Sequence, residues 1–215
     1  MTVTTEDFEA LPALTYSEAR NHMRTGDLVF FSSRTLGAEL VEFFTDSLWS
    51  HAAFVWRIDD VDRVILLESV DTFGVRARAL SSALNGSGSH PRPYNGKVML
   101  ARHDAFPATP DARDVRRMTQ FAIDRLGWPY SNIELAKIAA RIAAGLAGKA
   151  LHGVLDPQDA YVCSEYVAKC YAAMGILLTP DKAGFIAPAD IADDDAVKGV
   201  CALTPDPPLQ VRGLV

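Results

Sequence analysis

A chain of 215 residues, 49% hydrophobic and 22% charged, is long and apolar enough to build one full core. Its formal net charge of -6 excludes nucleic acid as the main partner, because phosphate contacts need a basic face. Three cysteines, Cys163, Cys170 and Cys201, are too few for a disulfide framework and point to a reducing compartment or to a site that needs a free thiol.

Met1–Ala10 is polar and acidic, with neither the basic start nor the apolar run of a signal peptide. Residues 1–14 read as a loose arm and Ser17–Arg24 as a short helix. Gly26-Asp27 turns the chain into a buried strand, Leu28–Phe31. Apolar residues at 36, 40, 41, 43 and 44 predict a helix over Leu36–Phe44. Ser50–Ile58 and Arg63–Val70 read as strands joined by a turn at Asp59–Asp62, and Gly74–Leu80 as a third strand. Ser81–Gly96, rich in Ser, Gly, Asn and Pro, reads as a loop that borders a cleft. Lys97–Arg102 is a strand. A helix over Asp111–Leu126 is bracketed by Pro110 and Gly127, and Asn132 caps another through Ala147. Leu135–Leu155 is the most apolar stretch, but Lys137, Arg141, Lys149 and His152 interrupt it, so no membrane span is predicted. A helix starting at Cys163 runs to Met174 and stops at Gly175. Pro188–Ala192 is a turn of helix and Val197–Leu203 a last strand. The sum is an α+β chain: a small, mostly antiparallel sheet packed against helices, in a single domain over residues 1–215.

Three stretches carry candidate chemistry. Cys163 begins Cys163-Ser164-Glu165-Tyr166-Val167, and apolar residues at 166, 167, 170, 171 and 174 share its helical face, so the thiol points inward. A helix N-terminus offers N–H groups and partial positive charge, which lower a thiol pKa and can hold an oxyanion. A small buried hydrophobe is the other reading of this cysteine. His51 opens one strand and Glu68 closes the apolar run of the next. With Ile58 paired to Arg63, they fall diagonally on one face, roughly 7–8 Å apart between Cα atoms. Such a pair is the base and its orienting carboxylate, or else a buried polar pair that fixes the hairpin. Tyr130 ends Gly127-Trp128-Pro129-Tyr130 and offers a hydroxyl as an oxyanion donor, or simply an aromatic cap on the core. His22, His90, His103 and His152 show no metal-ligand spacing, so no metal or cofactor is expected; His90 and His103 read as surface residues, and His22 as a residue that can face the cleft.

Taken in order, Gly26-Asp27-Leu28-Val29-Phe30, Trp49-Ser50-His51-Ala52-Ala53, Leu67-Glu68-Ser69, Gly127–Tyr130 and Cys163-Ser164-Glu165 resemble the permuted papain-like branch of the NlpC/P60 superfamily, in particular the YiiX/YebB-like cysteine hydrolases. Ile186-Ala187-Pro188-Ala189-Asp190-Ile191 resembles that family's Pro–Asp turn. In the unpermuted enzymes the cysteine helix precedes the histidine strand; here it follows. The resemblance implies Cys163 as nucleophile, His51 as base, Glu68 as its orienting residue and Tyr130 as an oxyanion donor. It implies hydrolysis of an amide, such as a peptidoglycan-type peptide, through an acyl-enzyme. Val162 stands where the unpermuted enzymes carry Asp, and residues 131–160 form an added segment, expected to be a helical insertion bordering the cleft. Two alternatives stay open on the residues: a lipid-directed thiol acyltransferase or deacylase, and a non-catalytic binding or structural module, such as a phage particle component. The expected compartment is the cytosol, or export or virion assembly by a route without a signal peptide.

Overall fold

The computed structural model describes residues 4–32, 47–88, 91–106, 112–130, 162–178 and 186–207. Its centre is a seven-stranded sheet: β1 Ala13–Thr15, β2 Leu28–Phe31, β3 His51–Ile58, β4 Arg63–Val70, β5 Gly74–Ala79, β6 Val98–His103 and β7 Val197–Thr204, in the spatial order β1-β7-β6-β2-β3-β4-β5. Every pairing is antiparallel except β1 with β7. The mostly antiparallel sheet packed against helices is the one expected, with one strand more. The presumed loose arm supplies its first strand and a helix, α1 Thr5–Glu9. Reciprocal bonds between Thr4 and Asp7 begin that helix: Asp7 N donates to Thr4 Oγ1 at 3.1 Å and Thr4 N to Asp7 Oδ2 at 2.9 Å. Thr15 and Glu18 do the same for α2, Tyr16–Ala19.

Side chains alternate across the sheet as a period of two requires. Leu28, Phe30, Ala52, Phe54, Leu67 and Met99 face one core, shared with Trp49 and the helices α4 Ala112–Ile123 and α5 Cys163–Ala172. Val29, Phe31, Ala53, Val55, Leu66 and Leu100 face a second core, covered by α2 and by α3 Leu80–Asn85. Both faces of β2 are thus covered, which is why Leu28-Val29-Phe30-Phe31 reads as an unbroken apolar run. α3 corrects the reading of Ser81–Gly96 as loop throughout. Its apolar residues, Leu80, Ala83 and Leu84, are buried against the second core, and this packing overrides the polar composition.

α5 is tied at two points. Tyr166 and Tyr171 are both fully buried; Tyr166 Oη donates to the Ala122 carbonyl on α4 at 3.0 Å, and Tyr171 Oη donates to the Gly26 carbonyl at the turn into β2. A buried tyrosine whose hydroxyl is bonded fixes both the rotation and the height of its helix. A short helix, α6 Pro188–Ala192, follows, with Ala187 N donating to Asp190 Oδ2 at 2.6 Å. The expected helices over Leu36–Phe44 and Asn132–Ala147, and the insertion at 131–160, lie outside the described residues.

Candidate active site

The β3–β4 ladder begins at Ile58–Arg63, the register the sequence favoured, and its pairs run to Phe54–Leu67. There they stop, although β3 reaches back to His51 and β4 continues to Val70. The strands open where the candidate residues sit. The Ala52 N–H is near enough to the sulfur of Cys163 to help hold the thiol down. The thiol, carried on the α5 side of the sheet, reaches an imidazole that shares parity with Ala53 and Val55 on the other side.

His51 stands between two partners. Its Nε2 lies 2.7 Å from Glu68 Oε2. That leaves Nδ1 toward Cys163, whose thiol acts on the ring from its other side. Glu68 is 3% exposed, and its other oxygen, Oε1, accepts from Arg76 Nε at 2.8 Å and lies 2.7 Å from Arg76 Nη2. Arg76 faces Glu68 directly across the β4–β5 ladder. Chain logic places it there: the turn Asp71–Phe73 pairs Val70 with Gly74, and Arg76 then falls opposite Glu68. Arg76 was not singled out from the sequence, although an opposite charge two residues into the next strand was the available signal.

These contacts set the charges. Burial alone would push the Cys163 thiol up; the hydrogen bond and charge of His51, with the N–H groups of Ala52 and Ser164, outweigh it and hold the thiol below its ordinary value. Burial likewise opposes an imidazolium at His51, yet its bonds to Cys163 and Glu68 raise it to about 10. Glu68 is held down to about 2, since His51 and Arg76 together overcome its burial. The arrangement favours a thiolate–imidazolium pair braced by a carboxylate. Cys170 and Cys201 are also free and buried, but they lack such partners: burial pushes Cys170 well up and Cys201 to about 11.

The helix start contributes as well. Val162, extended and aliphatic, caps α5 with no side-chain hydrogen bond, so no side chain competes at the N-terminus where the sulfur sits. Ser164 Oγ donates to the Ile186 carbonyl at 2.6 Å and is turned away from the thiol. Tyr130 is partly buried, near enough for the thiol's charge to be felt; burial and the charges of Cys163 and Asp71 raise its hydroxyl well above the usual value, so it remains a donor. Its turn is docked on β5, with Val75 N donating to the Trp128 carbonyl and Gly127 N to the Val75 carbonyl, both at 2.8 Å. Gly74 makes this possible. Its φ is +66°, and a Cβ there would stand 2.0 Å from the Trp128 carbonyl oxygen.

The structure therefore brings Cys163, His51, Glu68 and Tyr130 into one neighbourhood and adds Arg76. The remaining histidines stay apart. His103, expected at the surface, is 5% exposed: its ring lies 5.7 Å from that of Tyr171, and Nδ1 accepts from Ala105 N at 3.1 Å. His22 is exposed, and its carbonyl accepts from Arg102 at the opposite end of β2 from Phe31 and His51. His90 and His152 lie outside the described residues. Among the described residues no three His, Cys, Asp or Glu side chains are arranged to hold a metal ion, and no helix is long and apolar enough to cross a membrane.

A histidine strand followed in sequence by a cysteine helix, meeting across one sheet, defines a papain-like arrangement in permuted order. Residues 22–200 match the family model of the permuted papain-like amidase enzymes, YaeF/YiiX, family C92, and the chain belongs to that family. The fold is also similar to the crystal structure of the metalloprotein YiiX from Escherichia coli O157:H7, at 17% identity over 85% of this chain and 98% of that one, with a TM-score of 0.58. No curated protein matches the chain.

Proposed function

We propose that the protein is a cysteine amidase that cleaves a peptide-type amide through an acyl-enzyme on Cys163. The observation that carries this reading is the placement of His51 between the Cys163 thiol and the Glu68 carboxylate. The His51 ring takes the thiol proton, and the thiolate adds to the amide carbonyl carbon. The oxyanion forms beside the main-chain N–H of Cys163 at the head of α5 and the hydroxyl of Tyr130. His51 then gives its proton to the departing nitrogen, the C–N bond breaks, and a thioester remains. Water, deprotonated by His51, attacks the thioester carbonyl and releases the acid and the free thiol. Glu68 holds the ring with Nδ1 toward sulfur and stabilises its positive charge. Peptidoglycan-type peptides are the first substrates to try.

Iodoacetamide alkylation across pH, with the modified cysteine identified by mass spectrometry, tests the site before any substrate is known. Cys163 is expected to react well below the free-thiol pKa of about 8.5, while Cys170 and Cys201 stay silent in the folded protein. Equal reactivity of the three would end the reading of Cys163 as a nucleophile.

A further inference from the structure

Beside His51 lies a cavity of about 260 Å³, lined by Phe31, His51, Glu68, Val70, Arg76, Arg78, Ala83 and Tyr94. Its walls divide by chemistry. Phe31, Val70, Ala83 and Tyr94 form an apolar side, with the Phe31 and Tyr94 rings edge to face at 5.3 Å. The polar side holds one carboxylate and three groups that carry or can carry positive charge.

The charges do not cancel. Both oxygens of Glu68 are engaged, one by His51 and one by Arg76. The His51–Cys163 pair adds no net charge, whether its shared proton sits on nitrogen or on sulfur. Arg78 is left over. Among the described residues its only bond is from Nη2 to the Ser82 carbonyl at 3.0 Å, and no carboxylate pairs with it. Arg76 uses Nε and Nη2 on Glu68 and lies over the Phe73 ring at 5.0 Å, and its Nη1 has no hydrogen-bond acceptor among the described residues. A guanidinium held by strand pairing beside a half-apolar cavity is pre-set to receive a planar anion through two parallel hydrogen bonds. Two such groups, two residues apart on one strand, lie on the same face.

We infer that this cavity is a carboxylate subsite, in which Arg78, with Nη1 of Arg76, receives a carboxylate of the substrate while the Phe31–Tyr94 side takes a small apolar group. The proposal rests on the amidase reading and sharpens it: the preferred substrate is an amide that carries a free carboxylate. The volume suits one amino-acid-sized group. Arg78 is a specificity-determining residue, and the chemistry at Cys163 does not pass through it.

Binding can be read without turnover. N-acetylglycine and N-acetylglycinamide differ only in the carboxylate. At matched ionic strength, each is titrated into the full-length protein by calorimetry and by its effect on the thermal unfolding midpoint. The carboxylate is expected to bind at least about tenfold more tightly than the amide, and Arg78→Gln to remove most of that preference while Arg78→Lys keeps part of it. Equal affinity for the two compounds in the wild-type protein overturns the subsite, and this outcome needs no variant to fold. A preference that persists undiminished in folded Arg78→Gln overturns the assignment to Arg78. Because neither readout depends on hydrolysis, a protein that binds the carboxylate yet leaves Cys163 inert to iodoacetamide would sink the amidase reading and not this one.

Discussion

Among the described residues, two carboxylates are almost wholly withdrawn from water, and an arginine holds each. Asp27, 1% exposed, accepts from Arg102 Nε at 2.6 Å and from Arg102 Nη2 at 2.8 Å, while Arg24 N donates to its Oδ2 at 2.8 Å. Glu68, 3% exposed, takes Arg76 on one oxygen only. The difference is the second oxygen. At Asp27 it is closed by the same guanidinium and a main-chain N–H, groups that do not titrate near neutral pH. At Glu68 it is given to an imidazole whose far side meets a thiol. The first pair is a staple between β2 and β6; the second is a lever on a proton. A buried ion pair is by itself weak grounds for assigning a role, and here the neighbour of the carboxylate decides it.

The largest effect is expected at the far end of that lever. His51→Ala should lower amide turnover by roughly 1,000- to 10,000-fold. It should also return Cys163 alkylation to the profile of an ordinary or elevated thiol, because the charge that opposes burial is gone. An unchanged profile, measured with iodoacetamide between pH 5 and 10, would show that the thiol is tuned by the helix terminus alone.

Next comes the staple. Asp27→Asn leaves the Arg102 charge without its partner and should cost roughly 2–4 kcal/mol, the lower part of the range for a buried pair, because Arg102 is 24% exposed. For a chain of this size the unfolding midpoint should fall by roughly 5–12 °C. The alkylation profile of Cys163 should not move. A shifted profile would mean that the two ends of β2 are coupled, and the contrast between the pairs would collapse.

The smallest effect, and the sharpest discriminator, is Glu68→Gln. Turnover should fall roughly 10- to 100-fold, with the acid limb of alkylation displaced upward because the imidazolium loses its support. The pH dependence of stability should change too. With Glu68 held at about 2 in the folded protein, its contribution is complete above its ordinary value near 4.5 and is lost as pH falls through about 2. With His51 held at about 10, its contribution is complete below 6.5 and is lost as pH rises through about 10. Glutamine should remove the acid-side loss and weaken the alkaline one, which chemical denaturation at a series of pH values reads directly. A stability loss of roughly 3–5 kcal/mol with a wild-type alkylation profile would instead assign Glu68 to the scaffold.

The strands of the site were legible because their parity and turn chemistry are local. Ile58–Arg63 pairing follows from the acidic turn Asp59–Asp62, and with it the shared face of His51 and Glu68. The start of α5 at Cys163 was legible from apolar spacing. What escaped was anything set by packing at long range. The arm becomes a strand because Ala13–Thr15 finds β7, almost 190 residues away in sequence. Leu80–Asn85 becomes a helix because its apolar side has a core to cover. His103 looks like a surface histidine in sequence, since nothing local shows that Tyr171 will lie against it. The opening of the β3–β4 ladder, on which the meeting of thiol and imidazole depends, has no sequence signature at all.

The docking of Gly127–Trp128 on β5 bears on how the molecule behaves at high concentration. β5 is a terminal strand of the sheet, and a terminal strand offers its unpaired N–H and C=O groups to any other chain. Here Val75 has both of its main-chain groups taken by the Gly127–Trp128 segment, and the strand carries Arg76 and Arg78 beside it. The turn that carries Tyr130 thus also covers the edge at Val75. The two main-chain hydrogen bonds that support a candidate oxyanion donor also occupy an edge position of the sheet, so strand-to-strand contact there would compete with the site for its own support.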